Sequence, residues 1–204
     1  MIIRSSRELK EVYQDLRSGD VFLGTLAYKH MKQSALIDLL DTINIYNRLK
    51  IAPVITKEDR MHCGHGVRKW ETIEVLYSFM ALSESSYPFV VQPFLDNFTD
   101  VRVIMIGNYI EAYVRNNPNN FRMNISMGGE SYPYDPDEKL ERFCHTAMER
   151  GKFPYAHLDI KITNDGQYYL SEIALNGGTK GAKIDRKELV KKKQDLLESL
   201  ANIS

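Results

Sequence analysis

Cysteine is scarce in this sequence: 204 residues carry only Cys63 and Cys144, far apart in the chain. No disulfide framework organises the fold, and MIIRSSRELK lacks the apolar core of a secretory leader, so the chain reads as a reduced, cytoplasmic protein. An excess of charge of one sign is also missing. Lysine plus arginine balance aspartate plus glutamate at 27 each, which excludes a global field that would draw in nucleic acid or an anionic membrane. No apolar run approaches the roughly 20 residues of a membrane helix; even FVVQPFL is broken by Gln92 and Pro93. Repeats and low-complexity tracts are absent. What is present is 43% hydrophobic composition, enough for one globular domain or one domain of two lobes.

The order of elements is mixed. Ser5 and Glu8 have capping-box spacing for a helix to about Leu16, and VFLGTLA reads as a strand. A helical pattern over 30–47 and a strand at IAPVITK follow, a β-α-β order that favours an α/β-like class. EDRMHCGHGVRKW reads as a polar stretch and TIEVLYSFMAL as an amphipathic helix. From Tyr87 the chain turns β: PFVVQPFL, then VRVIMI and YIEAYVR joined by Gly107-Asn108, the dipeptide of a tight hairpin. NNPNNFRMNISMGGESYPY reads as a long polar loop, and Asp135-Pro136 as the cap and first-turn proline of a helix to about Arg150. HLDIKIT and QYYLSEI flank Asn164-Asp165-Gly166 as a second hairpin, and Asp185 caps a terminal helix with Leu189, Leu196, Leu197 and Leu200 on one face.

The hairpins place charges. Symmetric pairing about the second turn sets Asp159 opposite Glu172 on one sheet face. Facing carboxylates repel by up to about 1 kcal/mol unless a cation or proton intervenes. Two arrangements satisfy them: a hard divalent cation, with Asn176 as a further oxygen donor, or pairing with Lys161 or Lys180 on an exposed face. The first hairpin puts Val101, Val103 and Met105 with Ile110, Ala112 and Val114 on a core face. Asp100, Arg102, Glu111, Tyr113 and Arg115 share the other, Asp100 opposite Arg115. With Arg122 from the next loop, three guanidinium groups suit bidentate capture of phosphate or carboxylate, or form ordinary ion pairs on a solvated face.

FVVQPFL, DVRVIMIGNYIEAYVR, NFRMNISMGG, AHLDI and LSEIALNGG, in this order, resemble the ATP-grasp ligases, a superfamily that includes glutathione synthetase, D-alanine:D-alanine ligase and the ribosomal-protein glutamate ligases. The resemblance covers about residues 51 to 182 and is nearest to the glutamate-ligase-like branch. It implies an α+β fold in which two lobes grip a nucleotide: a small lobe at about 51–91, a hinge at 92–95 and a large lobe at 96–204, behind an abbreviated α/β segment at 1–50. It implies ATP and Mg2+ as cofactors. Lys57 falls at a phosphate-contacting strand lysine, and Gly64 and Gly66 in a glycine-rich loop over those phosphates. Gln92, Pro93, Phe94 and Leu95 fall at the hinge that pairs with adenine, and Arg102, Arg115 and Arg122, with Asn124 nearby, at positions for the phosphate and the acid substrate. Asp159 and Glu172 fall at metal-binding carboxylates, with Asn176 as the further metal ligand. The implied reaction is ligation of a small-molecule acid to an amine through an acyl phosphate, with no partner nucleic acid or membrane, and with a homo-oligomer as an option.

The sequence departs from the family pattern in two places. Ala174 stands where much of the family has asparagine two residues after the metal-binding glutamate, and only about 50 residues precede the grasp. These departures support a second reading, a shortened nucleotide-binding module that works through a protein partner; a third is an α+β interaction domain. His62, Cys63 and His65 lack a fourth partner for a tetrahedral zinc site and read as loop residues. Trp70 and the tyrosines read as core or pocket walls, and RKELVKKKQ as the solvated side of the last helix.

Overall fold

A computed structural model describes residues 2–3, 25–28, 43–44, 46–58, 61, 64–82 and 89–201. The helix expected over 5–16 lies outside them, as do His62, Cys63 and most of the 30–47 helix, of which 43–44 and 46–47 are described and helical. The chain forms two compact units, Met1–Asp96 and Asn97–Ser204.

The first unit is built on a five-stranded sheet ordered β1-β2-β5-β3-β4: β1 Ile2–Ile3, β2 Thr25–Tyr28, β3 Val54–Glu58, β4 Val67–Trp70 and β5 Phe89–Pro93. Only β1 and β2 pair in parallel. Helix α1, Ile73–Leu82, starts where the Thr72 hydroxyl accepts the Val75 N–H at 3.2 Å. It buries Ile73, Leu76 and Met80 against Val54, Phe89 and Val91, with Tyr46 and Ile51 completing the core. Strand alternation turns Val54 and Thr56 toward this core and Lys57 to the opposite face. The sequence reading misses β4. Its Arg68 and Lys69 are exposed on an edge strand, where charges blunt further pairing and mask the apolar alternation by which strands are recognised.

The second unit is a fully antiparallel sheet ordered β10-β9-β6-β7-β8: β6 Phe98–Ile106, β7 Tyr109–Asn116, β8 Glu130–Tyr134, β9 Tyr155–Thr163 and β10 Tyr168–Ala174. Both predicted hairpins form. The first turns in two residues, with Gly107 at φ 55°, as such turns require. On one face Val101, Val103, Leu158 and Ile160 are wholly buried. Helix α2, Glu138–Gly151, lies on that side, its Phe143 ring edge-on to Tyr168 at 6.0 Å. On the other face Ile104, Ile106 and Tyr113 pack with Ile184 and with Leu189 of α3, Arg186–Ala201.

Three readings need correction. Glu130–Tyr134 is a strand, not loop; as the sheet edge it tolerates Pro133. The cap of α2 is Asp137, whose side chain accepts the Leu140 N–H at 2.7 Å, and not Asp135. On α3 only Leu189 is buried and Leu196 partly so, while Leu197 and Leu200 are 46% exposed. The expected Asp185 cap is present, accepting the N–H groups of Lys187 and Glu188 at 2.7 and 2.9 Å.

Candidate functional site

The polar face of the β6–β7 hairpin is buried, not solvated. Asp100, Arg115 and Asp159 are each 6% exposed. β9 pairs with β6 so that Arg102 lies opposite Asp159. Arg102 donates from Nε to Oδ1 at 2.6 Å and from Nη2 to Oδ2 at 2.8 Å. Arg115 lies opposite Asp100, to which its Nε donates at 2.8 Å, and its Nη2 is shared between Asp100 at 2.5 Å and Asp159 at 2.9 Å. Two arginines and two aspartates thus close a compact network. The cations hydrogen-bonded to Asp159 are Arg102 of β6 and Arg115 of β7, while the Lys161 ammonium sits 4.2 Å from the Phe98 ring centroid.

This arrangement sets the charge states. Burial alone would raise the Asp159 carboxyl, but the hydrogen bonds of Arg102 and the charges of Arg115 and Arg102 hold it below the usual carboxylate range. Asp100 moves the other way: burial, reinforced by the charge of Asp159, outweighs Arg115. Arg102 and Arg115 are raised despite burial, by Asp159 foremost, and stay charged.

Glu172 reaches the face of Asp159 through an irregularity. Symmetric pairing about the second turn carries Leu170 to Ile160 and would carry Ser171 to Asp159; the expected pairing of Asp159 with Glu172 is present, but a register slip after Leu170 produces it and the symmetry of the turn does not. Without that bulge Glu172 would lie on the opposite face. Glu172 is exposed beside the nearly buried Asp159, and Asn176, also exposed, follows just past the end of β10.

Asp159 and Glu172 carry the hard oxygen donors that a divalent cation takes. A carboxylate offers about four lone-pair directions; Asp159 uses both on Oδ2 and one on Oδ1, leaving one at Oδ1. Among the described residues no three His, Cys, Asp or Glu side chains cluster as a metal site.

The Asn-Gly-Gly segment leaves β10 as a strap across this face. Lys193 Nζ donates to the Leu175 carbonyl at 2.5 Å, and the Glu111 carboxylate accepts the N–H groups of Lys183 and Ile184. Beneath the strap lies His157, 1% exposed, with no hydrogen-bond partner for either ring nitrogen. Burial foremost, then the charges of Lys193 and Arg102, lowers its pKa to about 4, so the ring is neutral at physiological pH. Sequence reasoning passed over His157; two residues before Asp159 on the same strand face, its position was the available signal.

Arg122 is held differently from the other two arginines. Its guanidinium stacks 4.3 Å over the Phe121 ring and its backbone N–H donates to Asn120 at 3.0 Å. Asn124 precedes a short 3-10 turn, Ile125–Met127, and its carbonyl accepts the N–H groups of Met127 and Gly129. The organiser of this loop is a residue the sequence reading missed, Asn117. It is 5% exposed, and its amide donates to the carbonyls of Arg122 and Met127 at 3.0 and 3.1 Å.

In the first unit, Lys57 shares a strand face with Val67, Lys69, Val90 and Gln92. Gln92 is buried, and Lys69 Nζ lies 4.5 Å over the Phe94 ring. The hinge segment leaves the sheet at Pro93, and the Phe94 N–H donates to the Pro53 carbonyl at 2.9 Å. Gly64 bends the loop at φ 79°. A Cβ on Gly66 would lie 2.6 Å from the Met61 Cβ, so Gly66 is glycine in order to close this hairpin.

Comparison with known proteins bears on these two groups of residues. The RimK-like ATP-grasp domain model matches residues 26–200. The coenzyme gamma-F420-2:alpha-L-glutamate ligase of Methanococcus maripaludis is 29% identical over 136 residues, 63% of this chain and 46% of that protein. The alpha-aminoadipate–LysW ligase LysX of Saccharolobus solfataricus is 27% identical over 128 residues, 59% of this chain and 46% of that protein. The chain thus spans about half the length of these curated relatives. A solved structure of the ATP-grasp ligase PsnB, complexed with a phosphomimetic variant of a minimal precursor, Mg and ADP, aligns with a TM-score of 0.59 at 16% identity. The alignment covers 92% of this chain and 57% of that one, a likeness of fold.

Proposed function

The chain belongs to the RimK-like ATP-grasp family, and from that premise we propose that it serves an ATP-dependent carboxylate–amine ligation. The observation that carries the reading is the pairing of Asp159 with Glu172 across the bulge, beside two arginines. Lys57 would meet ATP phosphates, and the backbone at 92–95 the adenine. Asp159, Glu172 and Asn176 would hold Mg2+, which when bound neutralises charge on the transferring phosphoryl group. The acid's carboxylate would attack the γ-phosphorus as the bond to the bridging oxygen of ADP breaks; the amine nitrogen would then attack the acyl carbon, forming the amide bond as the bond to the phosphate oxygen breaks, with inorganic phosphate leaving and the amine proton passing to solvent. The protein's part is positioning and charge compensation, and no side chain acts as nucleophile. Arg102 keeps Asp159 ionised and directed. Arg115, engaged by two aspartates, adds a further bond to it, and Arg122 would be the arginine that meets the acid. The names of the two relatives each include an amino acid, glutamate in one and alpha-aminoadipate in the other, which favours an amino acid among the substrates.

A second reading, a nucleotide-binding module acting through a partner, is favoured by Arg102 and Arg115, whose guanidinium groups already engage internal carboxylates, and by Ala174. Calorimetric titration with a non-hydrolysable ATP analogue, with and without magnesium, on the wild type and Glu172→Ala tests both. Magnesium-dependent binding lost in the variant, with ADP release on adding amino acids, supports the ligase. Binding without ADP release for any acid–amine pair supports the module, and no binding by the wild type overturns both.

A further inference from the structure

We propose that His157 is a positioning residue: its ring is the seat on which Gly177 rests, and this seat holds Asn176 beside Glu172. The inference rests on the reading of Asn176 as a ligand for the cation. His157 pairs with Ala174 on the β9–β10 ladder, directly before the strap begins. A Cβ built on Gly177 would stand 2.5 Å from the ring Cγ, 2.6 Å from Nδ1 and 2.8 Å from the His157 Cβ, so backbone and ring are in a contact that only glycine permits. Gly178, the next residue, has nothing within 4 Å of its own Cβ position. The two glycines therefore do different work.

Asn176 is bracketed. On one side the Leu175 carbonyl is clamped by Lys193, and on the other Gly177 lies on the imidazole. Farther along, the strap is tied at Gly181, whose Cβ position is 2.6 Å from the Ser131 hydroxyl, and at Lys183 and Ile184 by Glu111. An exposed asparagine between two fixed neighbours has little backbone freedom to lose when a ligand arrives. The cost of the arrangement is visible in His157 itself. Both ring nitrogens are buried without partners, a penalty that an apolar side chain would avoid. What the ring supplies is a flat surface under the strap, a shape that a branched aliphatic side chain of similar volume does not have.

The test compares Gly177→Ala, Gly178→Ala and the double variant Gly177→Ala/His157→Ala. Two readouts are used: the magnesium concentration needed for binding of a non-hydrolysable ATP analogue, and the rate of tryptic cleavage after Lys180 in the strap. Gly177→Ala is expected to weaken the apparent magnesium affinity by about 10-fold, as loss of support behind a ligand does, and to speed cleavage. Gly178→Ala should leave both within about twofold. The double variant, with room restored under the strap, should recover toward the wild type. Equal behaviour of the two single variants in both readouts overturns the proposal. If Gly177→Ala does not fold, recovery of folding in the double variant supports the seat, and failure to recover overturns it. Absence of magnesium dependence in the wild type would remove the proposed function, while the cleavage comparison would still decide whether His157 seats the strap.

Discussion

Arg102 and Asp159 stand opposite each other on the β6–β9 ladder and meet through two hydrogen bonds, at 2.6 and 2.8 Å. A two-pronged guanidinium–carboxylate contact fixes direction as well as distance. With Arg115 adding a third bond at 2.9 Å, the Asp159 carboxylate is oriented by two further strands at once. In the proposed function, the remaining Asp159 oxygen position would meet Mg2+ without first being ordered.

Removing Arg102 leaves Asp159 nearly buried with a single guanidinium. Arg102→Gln is expected to lower the unfolding free energy by about 3 kcal/mol, read from urea denaturation. Adding Asp159→Asn should return part of that loss, because no charge is then left without its partner. Additive losses in the double variant would show that the pair is not coupled.

Asn117 ties down the loop that carries Arg122 and Asn124 through two donated bonds and one accepted from the Asn119 N–H at 3.2 Å. Asn117→Ala leaves the part-buried carbonyls of Arg122 and Met127 without this donor and should cost roughly 2 kcal/mol. Faster hydrogen exchange across 119–129 than in the wild type should accompany it; unchanged exchange there would remove Asn117 as the organiser.

Cys144 lies on the buried stripe of α2, and burial foremost, with Glu141 adding, pushes its thiol up to about 12. The thiolate forms only as pH rises toward that value, so alkylation of Cys144 in the native protein should stay negligible from pH 7 to about pH 9 and appear on unfolding. Mass-spectrometric mapping of the alkylated peptide checks this. Rapid native modification at pH 8 would contradict the packing of α2.

In the proposed function Lys57 of β3 would meet the ATP phosphates. Lys57→Met keeps the apolar stem and removes the charge, and should weaken binding of the ATP analogue by about 10-fold, near 1.4 kcal/mol, with the thermal midpoint little changed. An unchanged affinity would move the phosphate site away from β3.

Local chemistry decided much of this protein in advance. Gly107-Asn108 and Asn164-Asp165-Gly166 define two hairpins whose pairings need only neighbouring residues, so Asp100 opposite Arg115 was legible in the sequence. The motif order over 51–182 likewise carried the family. Edge strands β4 and β8 were hidden by Arg68, Lys69 and Pro133, which suit an edge and not the apolar alternation that identifies central strands.

The charge network belongs to tertiary structure. That Asp159 meets Arg102 depends on β6 and β9 pairing across more than fifty residues, a choice made by burial of Val101, Val103, Leu158 and Ile160 on the far face and not by the charges themselves. The bulge that brings Glu172 to Asp159, and the contact that makes glycine necessary at 177, likewise arise only once the strands are packed. The sequence by itself determined which residues could pair locally; the packed sheet decided which of them share a site.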